Sequence, residues 1–157
     1  MLDERCAEGE KTKQGTKYAR VTDIPASWFQ LDLGPLRKVA VTAYTLRHGG
    51  NYKADSLRNW EFKGSLDGNT WYGLCRHTGD SSLNEPFASK TWSVALDNPT
   101  PYRYFRILQK GHNSSDRNFL ALSGIELYGD LYESNSSYEI PRFTDGLSTP
   151  LVTPASP

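Results

Sequence analysis

The 157-residue sequence lacks long hydrophobic runs, and no stretch approaches the 18 consecutive apolar residues that a membrane-spanning helix requires. Its N-terminus, MLDERCAEGEKTKQGTKYAR, is charged throughout and has no apolar segment of the length that a secretory signal needs. There is no excess of charge of one sign, because Lys plus Arg and Asp plus Glu each number 18. These absences argue against a transmembrane protein, an exported protein, and a basic protein that binds nucleic acid or anionic membranes.

Cysteine is also scarce. Cys6 lies in a polar leader, and Cys75 lies within TWYGLCRH, where a small thiol suits a strand. Two cysteines fall far below the density of a disulfide-stapled scaffold, so we expect both thiols to be reduced and the protein to be intracellular, in the cytoplasm. The glycosylation motifs at Asn113 and Asn135 then carry no weight, because glycosylation requires export.

Aromatic residues and turn formers are what the sequence does have: 12% Phe, Trp and Tyr, with 13 Gly and 9 Pro. From Trp28 onward, short runs of aromatic and β-branched residues each end at Gly, Pro, Asn or Asp, as strands and turns do. No segment holds ten residues at helical period. We predict seven strands, at about residues 28–33, 38–47, 58–65, 70–77, 90–96, 102–109 and 121–128. They predict an all-β fold, an antiparallel β-sandwich of the jelly-roll type.

Alternation along these strands identifies a candidate core. In YRYFRILQ, the face that carries Phe105 and Ile107 is expected to point inward. The tight-turn sequence at residues 66–69 predicts a hairpin over residues 58–77. Three tryptophans lie among apolar residues of predicted strands, and we expect all of them to pack in the core: Trp60, Trp71 and Trp92.

The length of the chain suits one domain. Residues 1–27 are a polar leader that adds at most one short strand, near residues 17–21. Residues 28–130 form the predicted jelly roll. The Ser-, Thr- and Pro-rich residues 131–157 are expected to be a flexible tail.

The motifs occur in the order WFQLDLG, YTLRHG, LRNW, GSLDG, YRYFR, GHNSS and LSGIELYG. This series resembles the discoidin or coagulation factor 5/8 type C domain, a galactose-binding-like jelly roll, over about residues 28–129. The combination of YTLRHG, LRNW and SGIELYG is similar to the intracellular branch that is found with BTB-domain adaptors and HECT-type ubiquitin ligases. Extracellular members join the ends of the domain with a cysteine pair, and neither Cys6 nor Cys75 is placed for that. The family also has a longer segment before its WFQLDLG-type strand, so we expect the first strand and one binding loop to be short or absent here.

No catalytic motif of a recognised class is present: there is no G-x-S-x-G, no H-E-x-x-H and no Gly-rich phosphate loop. We therefore predict that the domain is not an enzyme. The three histidines do not follow a zinc pattern. Four loop acids leave a structural calcium ion open, but no run matches a dedicated calcium loop, and no cofactor is expected. These acids are Asp23, Asp55, Asp80 and Asp116.

Two polar loops, residues 48–56 and 110–118, are the candidate binding site. In the family that the sequence resembles, ligand loops gather at one end of the barrel. Arg and Asn side chains suit such loops because they hold carboxylates, hydroxyls or peptide groups with paired hydrogen bonds. The predicted ligand-binding residues are His48, Asn51, Tyr52, Arg58, Asn113, Ser115, Arg117 and Asn118. The alternative for each is a structural role in closing its loop.

We predict a non-catalytic module that binds a protein or peptide partner through these loops, as a recruitment domain of a larger intracellular assembly. A ubiquitin-ligase context is what the branch resemblance implies. A carbohydrate-binding module is the main alternative, although Tyr52 is the only obvious loop aromatic for stacking on a sugar. A purely structural role is the second alternative. Both loop tips are polar, which argues against membrane insertion.

Overall fold

A computed structural model of the chain describes residues 10–11, 17–20 and 23–134, and it describes side chains for residues 23–134. All the regular structure within these residues is β-structure, so the predicted all-β fold is confirmed. The strands are β1 (Glu10–Lys11), β2 (Lys17–Arg20), β3 (Trp28–Asp32), β4 (Arg37–His48), β5 (Trp60–Ser65), β6 (Tyr72–His77), β7 (Ser89–Ser93), β8 (Tyr104–Gln109) and β9 (Ala121–Glu133).

The strands form two antiparallel sheets, as a β-sandwich requires. The large sheet has the order β1-β2-β9-β4-β7, and the small sheet has the order β3-β8-β5-β6. Alternate side chains of both sheets meet between them and form one core, as the pleat of a strand dictates. Its fully buried large side chains include Tyr44, Leu46, Trp60, Phe62, Phe105 and Ile107.

The alternation predicted for β8 is confirmed. Phe105 and Ile107 are buried, whereas Arg106 between them lies on the outer face of the small sheet. The predicted hairpin is also present, since β5 pairs with β6. In its turn, backbone N–H groups of Thr70 and Asn69 donate to the carboxylate of Asp67, and they lower the pKa of Asp67 to about 2.

The structure corrects the expected place of Trp71. Trp60 is fully buried and Trp92 packs against the core, but Trp71 lies outside it. Strand β6 begins only at Tyr72, so Trp71 belongs to the turn, and its indole Nε1 donates to the Gly68 carbonyl at 3.1 Å. This bond folds the indole onto the outer face of the small sheet, where it stacks on the Arg106 guanidinium.

Strand β9 is longer than the sequence predicted. It continues to Glu133, which pairs with Arg37 of β4, so the sandwich extends three residues beyond the expected boundary at residue 130. The sequence predicted that this strand ends at residue 128, before Gly129. In the structure, Gly129 instead lies opposite a β-bulge at Val41–Ala43, and pairing resumes after it. Residues 135–157 of the predicted tail lie outside the described residues.

The leader also contributes to the fold. The predicted short strand near residues 17–21 is present as β2, which pairs with β9 through Ala19 and Arg20. A further short strand, β1, was not predicted, because two residues are too few to show an alternation. The large sheet therefore begins within the segment that the sequence assigned to a polar leader.

Gly129 is the backbone position on which the β4–β9 pairing depends. Its φ is +148°, and a Cβ built there would overlap the carbonyl oxygen of Ala40. We expect Gly129→Ala to lower the free energy of unfolding by about 2–4 kcal/mol, because a strained φ combines with a clash against backbone. Urea denaturation followed by circular dichroism measures this.

Gly73→Ala is the matched control, since a Cβ at Gly73 meets no described atom within 4 Å. We expect it to change the free energy of unfolding by less than about 0.5 kcal/mol. Equal stability of the two variants would show that the bulge does not require glycine at position 129.

Candidate functional site

One end of the sandwich collects three loops. Strands β4, β6 and β8 end there, and the strands that follow them, β5, β7 and β9, begin there. The three connections are residues 49–59, 78–88 and 110–120, and we call the surface that they form the loop face. The sequence identified the first and third loops as the candidate site.

Serine side chains join the first loop to the third. The backbone N–H of Asp55 donates to Ser115 Oγ, and the backbone N–H of Ser56 donates to Ser114 Oγ, both at 2.9 Å. In return, the backbone N–H of Ser114 donates to the Ser56 carbonyl at 2.9 Å. Loop backbone that would otherwise need water is thereby satisfied by the neighbouring loop, which fixes their relative position.

Asn59 connects all three loops. Its Nδ2 donates to the His112 carbonyl, and its Oδ1 accepts from the Gly79 N–H, both at 2.9 Å. The loop of residues 78–88 is further tied to the first loop by an ion pair between Lys53 and Glu85 at 2.8 Å. The loop face is therefore a single hydrogen-bonded surface.

Two of the predicted binding residues are buried beneath this surface. His48 is fully buried, and its Nε2 donates to the Tyr52 carbonyl at 3.0 Å. Asn113 is 5% exposed; its Oδ1 accepts the N–H groups of Ser115 and Arg117, and its Nδ2 donates to the Phe119 carbonyl. Neither side chain is open to a ligand, so we reassign both residues to the scaffold of the loop face. Burial also keeps Asn113 from accepting a glycan in the folded state.

The other six predicted residues are exposed or partly exposed, and their role as ligand contacts stays a prediction. The Arg58 guanidinium donates to Asn84 Oδ1 at 2.7 Å and thereby reaches the second loop. The Arg117 guanidinium lies over the Phe119 ring at 5.7 Å. The six residues are Asn51, Tyr52, Arg58, Ser115, Arg117 and Asn118.

Sequence reasoning missed the loop of residues 78–88, which supplies Asn84 and Glu85 to the loop face. The predicted order of the strands could have indicated that this loop belongs to the loop face. In a sandwich of antiparallel strands, successive connections alternate between the two ends, so the connection after the predicted hairpin returns to the end that holds residues 48–56. Its Ser, Asn and Pro residues resembled an ordinary turn.

A chain of polar groups lies beneath the loop face and connects the two sheets. Trp60 Nε1 donates to the Tyr44 hydroxyl at 2.9 Å, and that hydroxyl lies 2.8 Å from His77 Nε2. His77 Nδ1 lies 3.2 Å from Asp80 Oδ2, which also accepts from Trp92 Nε1 at 3.0 Å. Because the Tyr44 oxygen accepts from Trp60, we assign its proton to the bond with His77 Nε2, so His77 is neutral and carries its own proton on Nδ1.

Burial shifts the pKa values of the titratable groups in this hydrogen-bonded network. It lowers the pKa of His77 against the opposing charge of Asp80, and it raises the pKa of Tyr44. Burial also works against ionisation of Asp80, but hydrogen bonds from Ser82 and Trp92 outweigh it and lower the pKa of Asp80.

Cys75, His77 and Asp80 stand in a row that looks like a nucleophile, a base and an orienting acid. Cys75 Sγ lies 3.2 Å from His77 Nε2. The Tyr44 hydroxyl is closer to the same nitrogen and occupies its lone pair, and burial raises the pKa of the Cys75 thiol. The geometry is therefore that of a free, protonated thiol in a structural network. Cys6 lies outside the described residues.

The loop acids do not converge on a common point. Asp23 accepts from the Asn118 N–H, Asp80 accepts from Trp92, and Asp116 pairs with His112. Asp55 is buried beside the Asn113 amide. Within the described part of the chain, no group of three or more His, Cys, Asp or Glu side chains is placed to hold a metal ion. The described residues contain no helix long and apolar enough to cross a membrane.

Comparison with known families agrees with this geometry. The family profile for the F5/8 type C domain matches residues 7–122. The chain belongs to the F5/8 type C domain family. The match begins at residue 7, so the family extends over most of the segment before Trp28, and the narrower range of about 28–129 expected from the motifs is corrected. F5/8 type C domains are binding modules.

Relatives of this F5/8 type C domain confirm the predicted branch. E3 ubiquitin-protein ligase Ufd4 of Drosophila melanogaster is 46% identical over 110 residues, 68% of this chain and 4% of the relative. E3 ubiquitin-protein ligase hecd-1 of Caenorhabditis elegans is 39% identical over 138 residues, 86% of this chain and 5% of the relative. A BTB/POZ domain-containing protein of Arabidopsis thaliana is 32% identical over 78% of this chain and 16% of the relative. The chain thus spans a small part of each.

Solved structures share the architecture of this F5/8 type C domain. CBM32-1 from a family 31 glycoside hydrolase of Clostridium perfringens has a TM-score of 0.57 at 18% identity, over 80% of this chain and 90% of that one. The lectin domain of lectinolysin, complexed with Lewis B antigen, has a TM-score of 0.54 at 18% identity, over 72% of each chain. At these identities the likeness shows the fold alone.

We expect stability of the F5/8 type C domain to fall as the pH drops below about 6.5. In the unfolded chain His77 takes up a proton near its ordinary pKa of 6.5, whereas the folded domain lowers that pKa. The folded state thus binds fewer protons in this window, and the free energy of unfolding decreases with acidity by at most about 1.4 kcal/mol per pH unit. The lowered pKa of Asp80 makes the free energy of unfolding depend on pH only in a more acidic range, below 3.8.

Urea denaturation between pH 8 and pH 5 measures this slope. His77→Gln is expected to flatten it, because the proton uptake is removed. The control Asn51→Ala, at an exposed loop residue that does not titrate, is expected to keep the slope of the wild type. An unchanged slope in His77→Gln would contradict the assignment.

Proposed function

We propose that this F5/8 type C domain is a non-catalytic recruitment module, which binds a protein or peptide partner through the loop face. One observation carries the proposal. Three loops are fixed to one another by hydrogen bonds from Asn59, Ser114 and Ser115, yet Asn51 and Arg117 remain exposed at their surface.

Such a surface suits recognition because its order already exists before a partner arrives. Binding then avoids much of the entropic cost of ordering loops. Arg and Tyr, represented by Arg58, Arg117 and Tyr52, are among the residue types that dominate binding energy at protein interfaces. A loop face built only to close the sandwich has no need for either residue type at its surface.

The relatives support a role within a larger assembly. Two of them are named as E3 ubiquitin-protein ligases, and the chain matches 4% and 5% of their lengths. A segment of that size supplies one module of the whole, and the ligase reaction belongs to other parts of those proteins under this proposal. We place the domain inside the cell in such an assembly, with no cofactor and no contact with nucleic acid or membrane.

Carbohydrate is the second candidate ligand. Tyr52 is partly exposed on the loop face beside the exposed amide of Asn51, and a ring next to an amide is suited to stacking on a sugar while binding its hydroxyls. Against this, His48 and Asn113 are buried beneath the loops and offer nothing to a sugar. We therefore favour a protein or peptide.

Affinity capture tests the proposal with a matched pair of double variants. Arg58→Ala with Arg117→Ala removes two cations from the loop face. Lys38→Ala with Lys90→Ala removes two exposed cations from the strands of the large sheet. Each variant is first shown to unfold at the wild-type urea midpoint. We expect the loop-face variant to lose its bound proteins at least about tenfold, measured by mass spectrometry, because two interface arginines cost more than 1.4 kcal/mol.

Galactose in the wash separates the two candidates. Proteins retained in galactose, lost in the loop-face variant and kept in the lysine variant would identify a protein-binding loop face. Release of the same proteins by galactose would assign the loop face to a glycan. If the loop-face variant and the lysine variant both capture the same proteins as the wild type, in the same amounts, Arg58 and Arg117 have no binding role.

A further inference from the structure

Strand β9 is paired along almost its whole length on one side and at only two residues on the other. Its register with β4 runs from Leu122 to Glu133, whereas β2 pairs with it only at Ala121 and Leu122. Among the described residues, no other strand pairs with residues 123–133, although β9 is the middle strand of the large sheet. We call the unpaired side of residues 123–133 the free edge.

The length of the free edge sets it apart from the other edges of the sandwich. Of the 13 residues of β9, only the two that pair with β2 lie outside it. The edge strands β3, β6 and β7 have five, six and five residues. Native proteins protect exposed edges with short strands, Pro or Lys, and residues 123–133 contain neither of these residue types. Such an edge is a template for a further strand.

The backbone of Leu131 points toward the free edge. Val39, which lies opposite Leu131, exchanges both of its backbone hydrogen bonds with Tyr102, on the side of β4 away from β9. In an antiparallel pair, opposite residues either both bond to each other or both point away from each other. The N–H and C=O of Leu131 therefore point away from β4, and a strand added to β9 could bond to both.

The inner face of the free edge is apolar. Leu127 lies opposite Tyr44 of the core, and Leu131 lies opposite Val39, which packs against the core. Leu131 is nevertheless 57% exposed, because the sandwich does not cover this end of β9. A strand added to the free edge would place alternate side chains beside these two leucines.

The outer face of the free edge is acidic. Glu126 and Asp130 lie there, since they alternate with the residues of the inner face. Glu126 accepts from the Tyr128 hydroxyl. Lys38 and Arg47 lie on the same face of β4, yet among the described side chains no Lys or Arg forms an ion pair with either carboxylate. An added strand would place its other side chains beside these two acids.

We propose that the free edge binds an extended segment of a partner protein, which adds an antiparallel strand to β9. Main-chain hydrogen bonds supply the attachment, and alternate side chains supply the selectivity. The segment has apolar residues on the inner face, beside Leu127 and Leu131, and Lys or Arg on the outer face, beside Glu126 and Asp130.

A second copy of this chain fits the free edge poorly. Pairing two free edges would set Glu126 and Asp130 of both copies on adjacent strands, and residues 121–133 contain no Lys or Arg to offset them. The free edge is also separate from the loop face, because the loop of residues 110–120 ends where β9 begins. Neither proposal therefore depends on the other.

Amide hydrogen exchange of the full chain, followed by NMR, tests the free edge before any ligand is added. We expect the Leu131 N–H to exchange at least about tenfold faster than the Tyr132 N–H, which faces β4. Slow exchange of Leu131 at every protein concentration would assign the edge to another segment of this chain. Slow exchange only at high concentration would assign it to a second copy. Either result would overturn the proposal.

A matched pair of peptides then tests strand addition. The probe has about six residues, the length of an ordinary strand, with lysine and valine alternating. Its counterpart carries a methyl group on each valine nitrogen, which keeps the charge and the side chains but removes the donors that would face β9. We expect the probe to slow Leu131 exchange at least about tenfold and the counterpart to leave it unchanged. No protection by the probe, or equal protection by both, would contradict strand addition.

Charge variants test which residues the added strand meets. Glu126→Gln with Asp130→Asn is expected to weaken binding of the probe about fivefold, because two cross-strand charge pairs are lost. Glu85→Gln with Asp97→Asn removes two exposed carboxylates outside β9 and is expected to leave binding unchanged. Equal weakening by both variants would reduce the effect to net charge and overturn the assignment. Slow amide exchange in β5 and β8 shows that each variant is folded.

The loop-face variant, Arg58→Ala with Arg117→Ala, separates the two surfaces. We expect it to bind the probe as the wild type does, whatever its effect on proteins captured by the loop face. Loss of probe binding in this variant would show that the probe does not bind at the free edge.

Discussion

The Tyr44 hydroxyl is the contact on which the geometry of this domain depends. It joins Trp60 and His77 of the small sheet to β4 of the large sheet, and through His77 the chain of hydrogen bonds reaches Asp80, at the root of the second loop. Trp92 of β7 donates to the same carboxylate and closes the path between the sheets. Each buried polar group here has its partner, so the sheets are fixed in one relative position and not merely pressed together.

The position of the loop face depends on the relative position of the two sheets. Loops 49–59 and 78–88 begin and end on strands that this network joins. Loop 110–120 bonds to loop 49–59 through Asn59, Ser114 and Ser115. The polar residues of these loops therefore divide into two groups. Some, such as His48 and Asn113, hold the loops from within; others remain at the surface for recognition. Both groups belong to the same short polar segments.

Local features of the structure could be predicted from the sequence, whereas features that depend on distant residues could not. Alternation in β8 predicted the inward face because a strand's pleat is a local property, and it did so correctly for Phe105 and Ile107. The burial of Asn113 depends on Phe119 and on contacts with the first loop, some 58 residues away, and no local pattern encodes them. Trp71 was misplaced for the same reason, since its partner Arg106 comes from another strand. The last strand was predicted to end at residue 128, before Gly129, because the bulge that accommodates this glycine lies in β4.

We infer that the loop face is ordered before any partner binds. Amide hydrogen exchange of the free chain is the first measurement to make, because it reports on the order of each loop separately. The N–H groups of Asp55, Ser56 and Gly79 donate to side chains of neighbouring loops, although none lies in a strand. We expect these amides to exchange as slowly as those of β5 and β8. Exchange at the rate of an unfolded chain would contradict it, and would make the loop face a surface that a partner has to order.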